Sequence, residues 1–349
     1  MEEFGISINF AHQTFRWDSE SNSKAHVHCV IIGFSQHPFN SPKYIFSDKG
    51  LSTTANNISP YLIDAPTVFI GNRKKPICDV VEMVKGSIPV DGGNLIIEDD
   101  EYEEFIKKDP HSIQFIKPLL GADEFINNKK RYCLWLVNVS PSELKKCPTI
   151  HKRLEKVREM RSHSSKAATR KYADYPHLFM EIRQPNSDYL LVPSTSSENR
   201  RYIPIGYMSK DVITTNANFT ISEATLYHFG VMTSKVHNAW MRAVCGRLKS
   251  DYRYSNTIVY NNFPWPTPSN EQKAKIEQTA QAILEARDLY PDSSLADLYD
   301  EVTMPPELRK AHQENDRAVM AAYGFSPKIT ESEYVAELMK MYQTLTKDL

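Results

Sequence analysis

Apolar and polar positions follow two different periods at the two ends of this 349-residue chain. Toward the C-terminus the apolar residues recur at three- and four-residue steps, the spacing of one helix face. Ile276, Ala280, Ile283 and Leu284 form a stripe behind a Ser269/Gln272 capping box. A second helix opens at Pro305-Pro306 and stops near Gly324, and Val335, Leu338, Met339 and Tyr342 follow a Thr330/Glu333 capping box. Toward the N-terminus the period is two. Residues 5–10 and 25–34 read as strands, joined by a polar loop that carries Phe15 and Trp17 exposed. Two strands make no stable unit alone, so this piece completes a sheet supplied elsewhere. Between the ends lie short strands at 67–70, 94–97, 132–137, 188–193, 202–207 and 211–214, with an acidic surface turn at 98–104. The pattern predicts an α+β protein: a mixed domain of short strands followed by a small helical domain.

One stretch, 225–266, organises the rest. Ser234 is a good N-cap, and Val236, Ala239, Trp240, Ala243, Val244 and Leu248 share one helical face. Lys235, Asn238, Arg242 and Lys249 fall on the other; Arg247 and Arg253 follow, and 257–260 reads as a strand. The stretch holds five Lys/Arg and one Asp. Such a helix is either a core helix with a solvated face or one that meets a nucleic-acid backbone.

Charge sharpens that choice. The formal net charge of −1 conceals +6 over residues 151–171 and −6 over 267–349. The middle of the chain can therefore meet a polyanion, either as a solvated helix or as a backbone-tracking arm that includes Lys166 and Arg170. Between strands sits S-T-S-S-E-N-R-R, a hairpin tip whose Glu198, Asn199, Arg200 and Arg201 also have the chemistry to read base edges. Five cysteines without a C-x-x-C spacing favour a reducing cytoplasm. No apolar run reaches a membrane span. His26, His28 and Cys29 lack a matching further ligand, so no metal site is expected. The turn 89–93 is too short for a phosphate loop.

Several long stretches resemble the C-terminal half of the MmeI-like (Type IIL) restriction–modification proteins. They are I-N-F-A-H-Q-T-F-R-W with A-H-V-H-C-V-I-I-G-F; I-S-P-Y-L; D-G-G-N-L; R-Y-C-L-W-L; S-S-E-N-R-R-Y-I-P-I-G; the stretch ending N-N-F-P-W-P; and L-A-D-L-Y-D-E-V-T-M-P-P-E-L-R-K-A-H. Intact members join an endonuclease, a helical spacer, an adenine-N6 methyltransferase fold, a target-recognition domain and a helical C-terminal domain. The resemblance implies that 1–46 are the last strands of the methyltransferase sheet, 47–262 the target-recognition domain and 263–349 the helical domain. It implies an aromatic that stacks on a flipped adenine, matched best by Phe15 and next by Trp17.

The chain departs from the family in having no Gly-rich cofactor loop after a strand and no N-P-P-Y or D-P-P-Y tetrapeptide. No catalytic residue is therefore expected, and no cofactor bound by this chain alone; S-adenosylmethionine belongs to the intact enzyme. The expected function is the sequence-reading portion of a DNA adenine methyltransferase, bound to double-stranded DNA. Lys166, Arg170, Lys235, Arg242, Arg247, Lys249 and Arg253 would grip phosphates; Glu198, Arg200, Arg201 and Lys210 would read bases. The alternative is a subunit-interaction module that completes a separately encoded methyltransferase catalytic polypeptide.

Overall fold

The computed structural model describes residues 1, 3–18, 26–37, 39–47 and 50–347. Strand β1 (Ser7–Asp18) pairs antiparallel with β2 (His26–Ser35), Phe15 opposite Cys29 and Trp17 opposite Val27. Strand β3 (Lys43–Phe46) lies parallel to β1, and β4 (Ser52–Ala55) closes the far edge, giving the order β2-β1-β3-β4. The polar loop expected around Phe15 and Trp17 is thus strand. Cross-strand pairing with the apolar β2 outweighs its polar composition. Ala25, the expected start of β2, lies outside the described residues. Ile8, Ala11, Ile45, Ile58 and Leu62 form a small core under this sheet.

The middle of the chain builds two further sheets. Its elements are β5 (Met83–Lys85), β6 (Ile96–Glu98), α1 (Asp99–Lys108), β7 (Ile116–Leu120), α2 (Ala122–Asn127), β8 (Arg131–Leu134), α3 (Pro141–Leu144), α4 (Pro148–Ser162), α5 (Ala167–Lys171), β9 (Tyr189–Pro193), β10 (Thr195–Ser196), β11 (Gly206–Met208), β12 (Ile213–Thr214) and β13 (Asn218–Ser222). One sheet has the order β11-β9-β13-β5, the other β12-β7-β8-β6. The acidic stretch expected as a turn opens α1 instead. Asp99, Asp100 and Glu101 occupy its first turn, where the helix dipole favours negative charge. Residues 67–70 join no ladder: the Ile70 amide donates to the Tyr61 hydroxyl, and Arg73 N–H to the Thr257 carbonyl.

The C-terminal half holds α6 (Leu226–Thr233), α7 (Lys235–Val244), β14 (Gly246–Leu248), β15 (Asp251–Arg253), α8 (Asn270–Asp288), α9 (Leu295–Leu298), α10 (Pro306–Tyr323) and α11 (Glu331–Thr346). The expected caps are present: the Ser234, Ser269 and Thr330 hydroxyls accept from the amides of His237, Gln272 and Glu333. Helix α7 stops at Val244, earlier than its periodicity predicts. Cys245 is extended, and Leu248 sits half-exposed in β14 rather than on the helix face. The strand expected at 257–260 is a π turn, with Asn261 N–H donating to the Asn256 carbonyl. Buried Trp240 donates its indole N–H to the Val259 carbonyl and holds that turn on α7.

A single core runs from β9 and β13 through α6 and α7 into α8, α10 and α11. The helical end therefore shares its interior with the middle of the chain. Gly230 lets α6 approach α8 and α10: a Cβ there would come within 2.7 Å of the Ile276 side chain and 3.1 Å of Asn315 Oδ1. Overpacking outweighs the better helix propensity of alanine, so Gly230→Ala should lower stability by about 1–3 kcal/mol in urea unfolding. An unchanged midpoint would mean that these helices shift apart freely.

Candidate nucleic-acid interface

Glu198, Asn199, Arg200 and Arg201 sit on the loop between β10 and β11. Strand β10 pairs with β15, and β15 with β14, so the loop rises beside the β14–β15 hairpin. Lys249, with φ of 55°, makes the hairpin's turn. The Arg247 guanidinium lies 4.1 Å from the Tyr252 ring centroid. It donates to the Ser250 carbonyl at 2.7 Å and reaches Glu198 at 3.4 Å. His28, across the gap on β2, stands 4.0 Å from the same carboxylate.

Three adjoining concavities cross this face. One of about 360 Å³ is lined by Glu198, Arg200, Arg201, Lys235, Arg242 and Glu331. The next, about 400 Å³, shares Arg242 and Glu331 and adds Arg247 and Gln13. A groove of about 770 Å³ continues past Arg16, His28, Glu198, Arg247 and Lys249. Together they form a trough that joins the loop, the hairpin, α7 and the N-terminal sheet. Arg200 is half-buried there; burial lowers its pKa, while Asp251 and Asp300 nearby pull it back up.

The trough gathers Glu198, Arg200, Arg201, Lys235, Arg242, Arg247 and Lys249. It does not gather the other sequence candidates. Lys166 precedes α5 and Arg170 lies in its last turn, from where Arg170 donates to the carbonyls of Ser164 and Ser165. The Lys210 amide donates to Asp188 in a turn after β11. Arg253 is exposed on β15, paired across the ribbon with Thr195 and Gly246. Thr14 and Arg16 line the groove, whereas Phe15 and Trp17 alternate to the other face of β1. Phe15 is half-buried with its ring 4.8 Å from His12, and Trp17 is exposed.

The expected cationic face of α7 is not free. Asn238 is fully buried, its Oδ1 accepting from Ile203 N–H. Arg242 is half-buried and held in a two-pronged pair with Glu331, at 3.0 and 2.9 Å. Helix α11 covers that face, which the period of α7 alone did not reveal. In the basic run, Arg161 and Arg153 turn inward: Arg161 donates all five N–H groups to backbone carbonyls, and Arg153 bonds to the Ile96 carbonyl and to Glu101. Arg16 and His28 were not picked out as interface residues, because their place depends on β1 and β2 packing beside the hairpin. Among the described residues no three His, Cys, Asp or Glu side chains come together as a metal site. No helix there is long and apolar enough to cross a membrane.

Three family models match in tandem. They are the MmeI DNA-methyltransferase domain over residues 1–47, the MmeI target recognition domain over 64–267 and the MmeI C-terminal domain over 268–349. The chain belongs to the MmeI family. DNA methyltransferase A of Bacillus subtilis (strain 168) is 39% identical over 347 residues, which is 99% of this chain and 39% of that protein. The structure of the Type IIL restriction–modification enzyme MmeI in complex with DNA matches with a TM-score of 0.91 at 46% identity, over 98% of this chain and 46% of that one. The chain thus spans less than half the length of these relatives. In family terms, the trough lies between the recognition domain, the C-terminal helices and the end of the methyltransferase domain.

Proposed function

We propose that this chain is the part of a restriction–modification DNA methyltransferase that chooses the DNA sequence. The supporting observation is the convergence of the 198–201 loop with Lys235, Arg247 and Lys249 in one trough. Cations there would hold phosphates and fix the register, with Lys166, Arg170 and Arg253 as outlying phosphate contacts; Glu198, Arg200 and Arg201 would meet base edges in the trough, with Lys210 as an outlying base contact. Arg242 joins this set through the loop it holds rather than as a free cation. The methylated base would be an adenine, stacked when flipped on Phe15 or Trp17.

S-adenosylmethionine would be held by the catalytic portion. The residues present do not fit it, because the Gly92-Gly93 turn leads into β6 and not from a strand into a helix. No step of methyl transfer is assigned to this chain, and labelled methyl transfer by the purified chain alone should be nil.

Binding to duplexes across a salt series tests the division of labour. Lys249→Ala should weaken all duplexes alike and reduce the salt slope by about 1. Arg200→Ala should change the preferred sequence, at about 1–3 kcal/mol per lost base contact. Equal losses on every sequence for both variants would remove the distinction.

A second reading rests on β2. Val27 and Ile31 on one face and Val30, Ile32 and Phe34 on the other are all exposed, and the strand's outer edge is unpaired within the described sheet. A strand apolar on both faces suits the interior of a helix-covered sheet. We infer that the catalytic methyltransferase portion packs there, whether on the same polypeptide or another. The chain should co-elute with a separately expressed catalytic portion from a family member, and Ile32→Lys should abolish that; co-elution unaffected by Ile32→Lys would place the contact elsewhere.

A further inference from the structure

The loop that would read bases has a free tip and a fastened stem. Its tip is held by little: the Arg200 amide donates to the Ser197 carbonyl, the Asn199 amide to the Ser197 hydroxyl, and Glu198 pairs with Arg247. From residue 201 onward, four helices hold the chain. The Arg201 carbonyl accepts from Arg242 of α7 at 3.1 Å, and Arg242 is itself gripped by Glu331 of α11. The Tyr202 hydroxyl donates to Asp316 of α10 at 2.7 Å, while the Tyr202 ring stacks on His312 with centroids 4.2 Å apart. Ile203 N–H donates to Asn238 of α7 at 2.9 Å, and the Ile205 carbonyl accepts from Arg287 of α8 at 2.6 Å.

Asp316 is the centre of this fastening. It is buried, and its second oxygen accepts the Lys235 amide at 2.7 Å, at the positive N-terminus of α7. One carboxylate thus fixes both the stem of the loop and the helix that carries Arg242. A few tenths of an ångström at a stem are carried to the tip, and contacts that discriminate bases require placement within about 0.5 Å.

We propose that the C-terminal helices set the register of the reading loop, with Asp316, Glu331 and Tyr202 as positioning residues for sequence discrimination. This rests on the sequence-reading function proposed above. None of the three need touch DNA. They decide which base edge Arg200 and Arg201 meet, and so the helical domain takes part in specificity without making a base contact.

The test uses the full chain and duplexes with a randomised central window. The sequence that wild-type protein retains is identified, and affinity is then measured for that duplex and for its single-base variants. Tyr202→Phe removes one hydrogen bond and keeps the stacked ring, so the fold is preserved. Asp316→Leu removes the acceptor at the same point at similar volume, whereas an asparagine amide would donate to the Tyr202 hydroxyl and keep a bond. Each should reduce the ratio of selected to substituted duplex by about fivefold to tenfold. Affinity for the substituted duplexes and the salt slope should stay unchanged. The double variant should lose no more than the worse single one, because both act through one bond. Unchanged ratios in variants of a wild type that does select would overturn the positioning role alone. A parallel loss of affinity for all duplexes with a lowered melting temperature would overturn it too, in favour of a purely structural role. A wild type that enriches no sequence would overturn the sequence-reading function itself.

Discussion

Arg161→Met should lower the stability of the recognition region by about 3–5 kcal/mol. Arg161 is fully buried near the end of α4. Its Nε donates to the Val90 carbonyl, Nη1 to those of Tyr172 and Tyr175, and Nη2 to those of Pro89 and Leu178, at 2.8–3.2 Å. Methionine fills much of the volume and satisfies none of these acceptors. Two of them belong to the 89–93 turn, where Val90 is held at φ 44°, a conformation that a β-branched residue seldom adopts. Without the guanidinium, that turn and the 172–178 segment lose their common tie. Lysine has three donors on one atom and should recover only part of the loss. Urea unfolding, with hydrogen exchange of the α4 amides as local readout, checks this. A change below about 1 kcal/mol with α4 protection intact would mean that the turn holds itself.

Acidification should produce the second large effect. His237 is fully buried; its Nδ1 meets the Met232 carbonyl at 2.9 Å and so carries the proton, leaving Nε2 to accept from the Tyr254 hydroxyl. Burial pushes its pKa down to about 4, with the Met232 carbonyl opposing. His312, stacked on Tyr202 and accepting from the Tyr299 hydroxyl, is lowered by burial in the same direction, and Arg287 and Arg201 add to it. A folded pKa below the unfolded one means that the unfolded chain takes up the proton first. Stability is therefore complete above pH 6.5 and falls as the pH drops toward 4. For His237 the loss is about 2 kcal/mol at pH 5 and about 3 kcal/mol at pH 4. Burial raises the pKa of Asp316, which acts in the opposite sense and offsets part of this loss. His237→Asn keeps a donor for the Met232 carbonyl and should be less stable at pH 7 but lose less between pH 7 and pH 5. A variant as acid-sensitive as the wild type would show that His237 is not the group that titrates.

Much of the fold is written in local signals. The caps at Ser234, Ser269 and Thr330 act on one turn of helix each, so short-range chemistry decides them. The stop of α10 at Gly324 is likewise local, since only that residue need take φ 71°. The failures share a different cause. Residues 257–260 are β-branched and aromatic, yet they turn because Trp240 of α7 takes the Val259 carbonyl. Phe15 and Trp17 stand in a polar stretch, yet they are strand because β2 lies beside them. Long-range partners decide these cases, and no window of the sequence contains them.

The candidate site divides in the same way. The residue types of the 198–201 loop and of the hairpin were legible as anion- and base-reading chemistry. Whether a cation is free was not. Arg161, Arg170 and Arg242 look alike in sequence; the first bonds only backbone, the second caps a turn, and the third answers Glu331. The family motifs supplied what periodicity lacked, because they preserve the order of segments that meet only in the folded chain.

Selection from a pool of duplexes with a randomised window, by the wild-type chain at moderate salt, tests the central claim most directly. The retained duplexes should share a defined run of base pairs, and that preference should persist as salt weakens binding overall. A chain that retains every sequence equally, or that binds no duplex at any salt concentration, would contradict it.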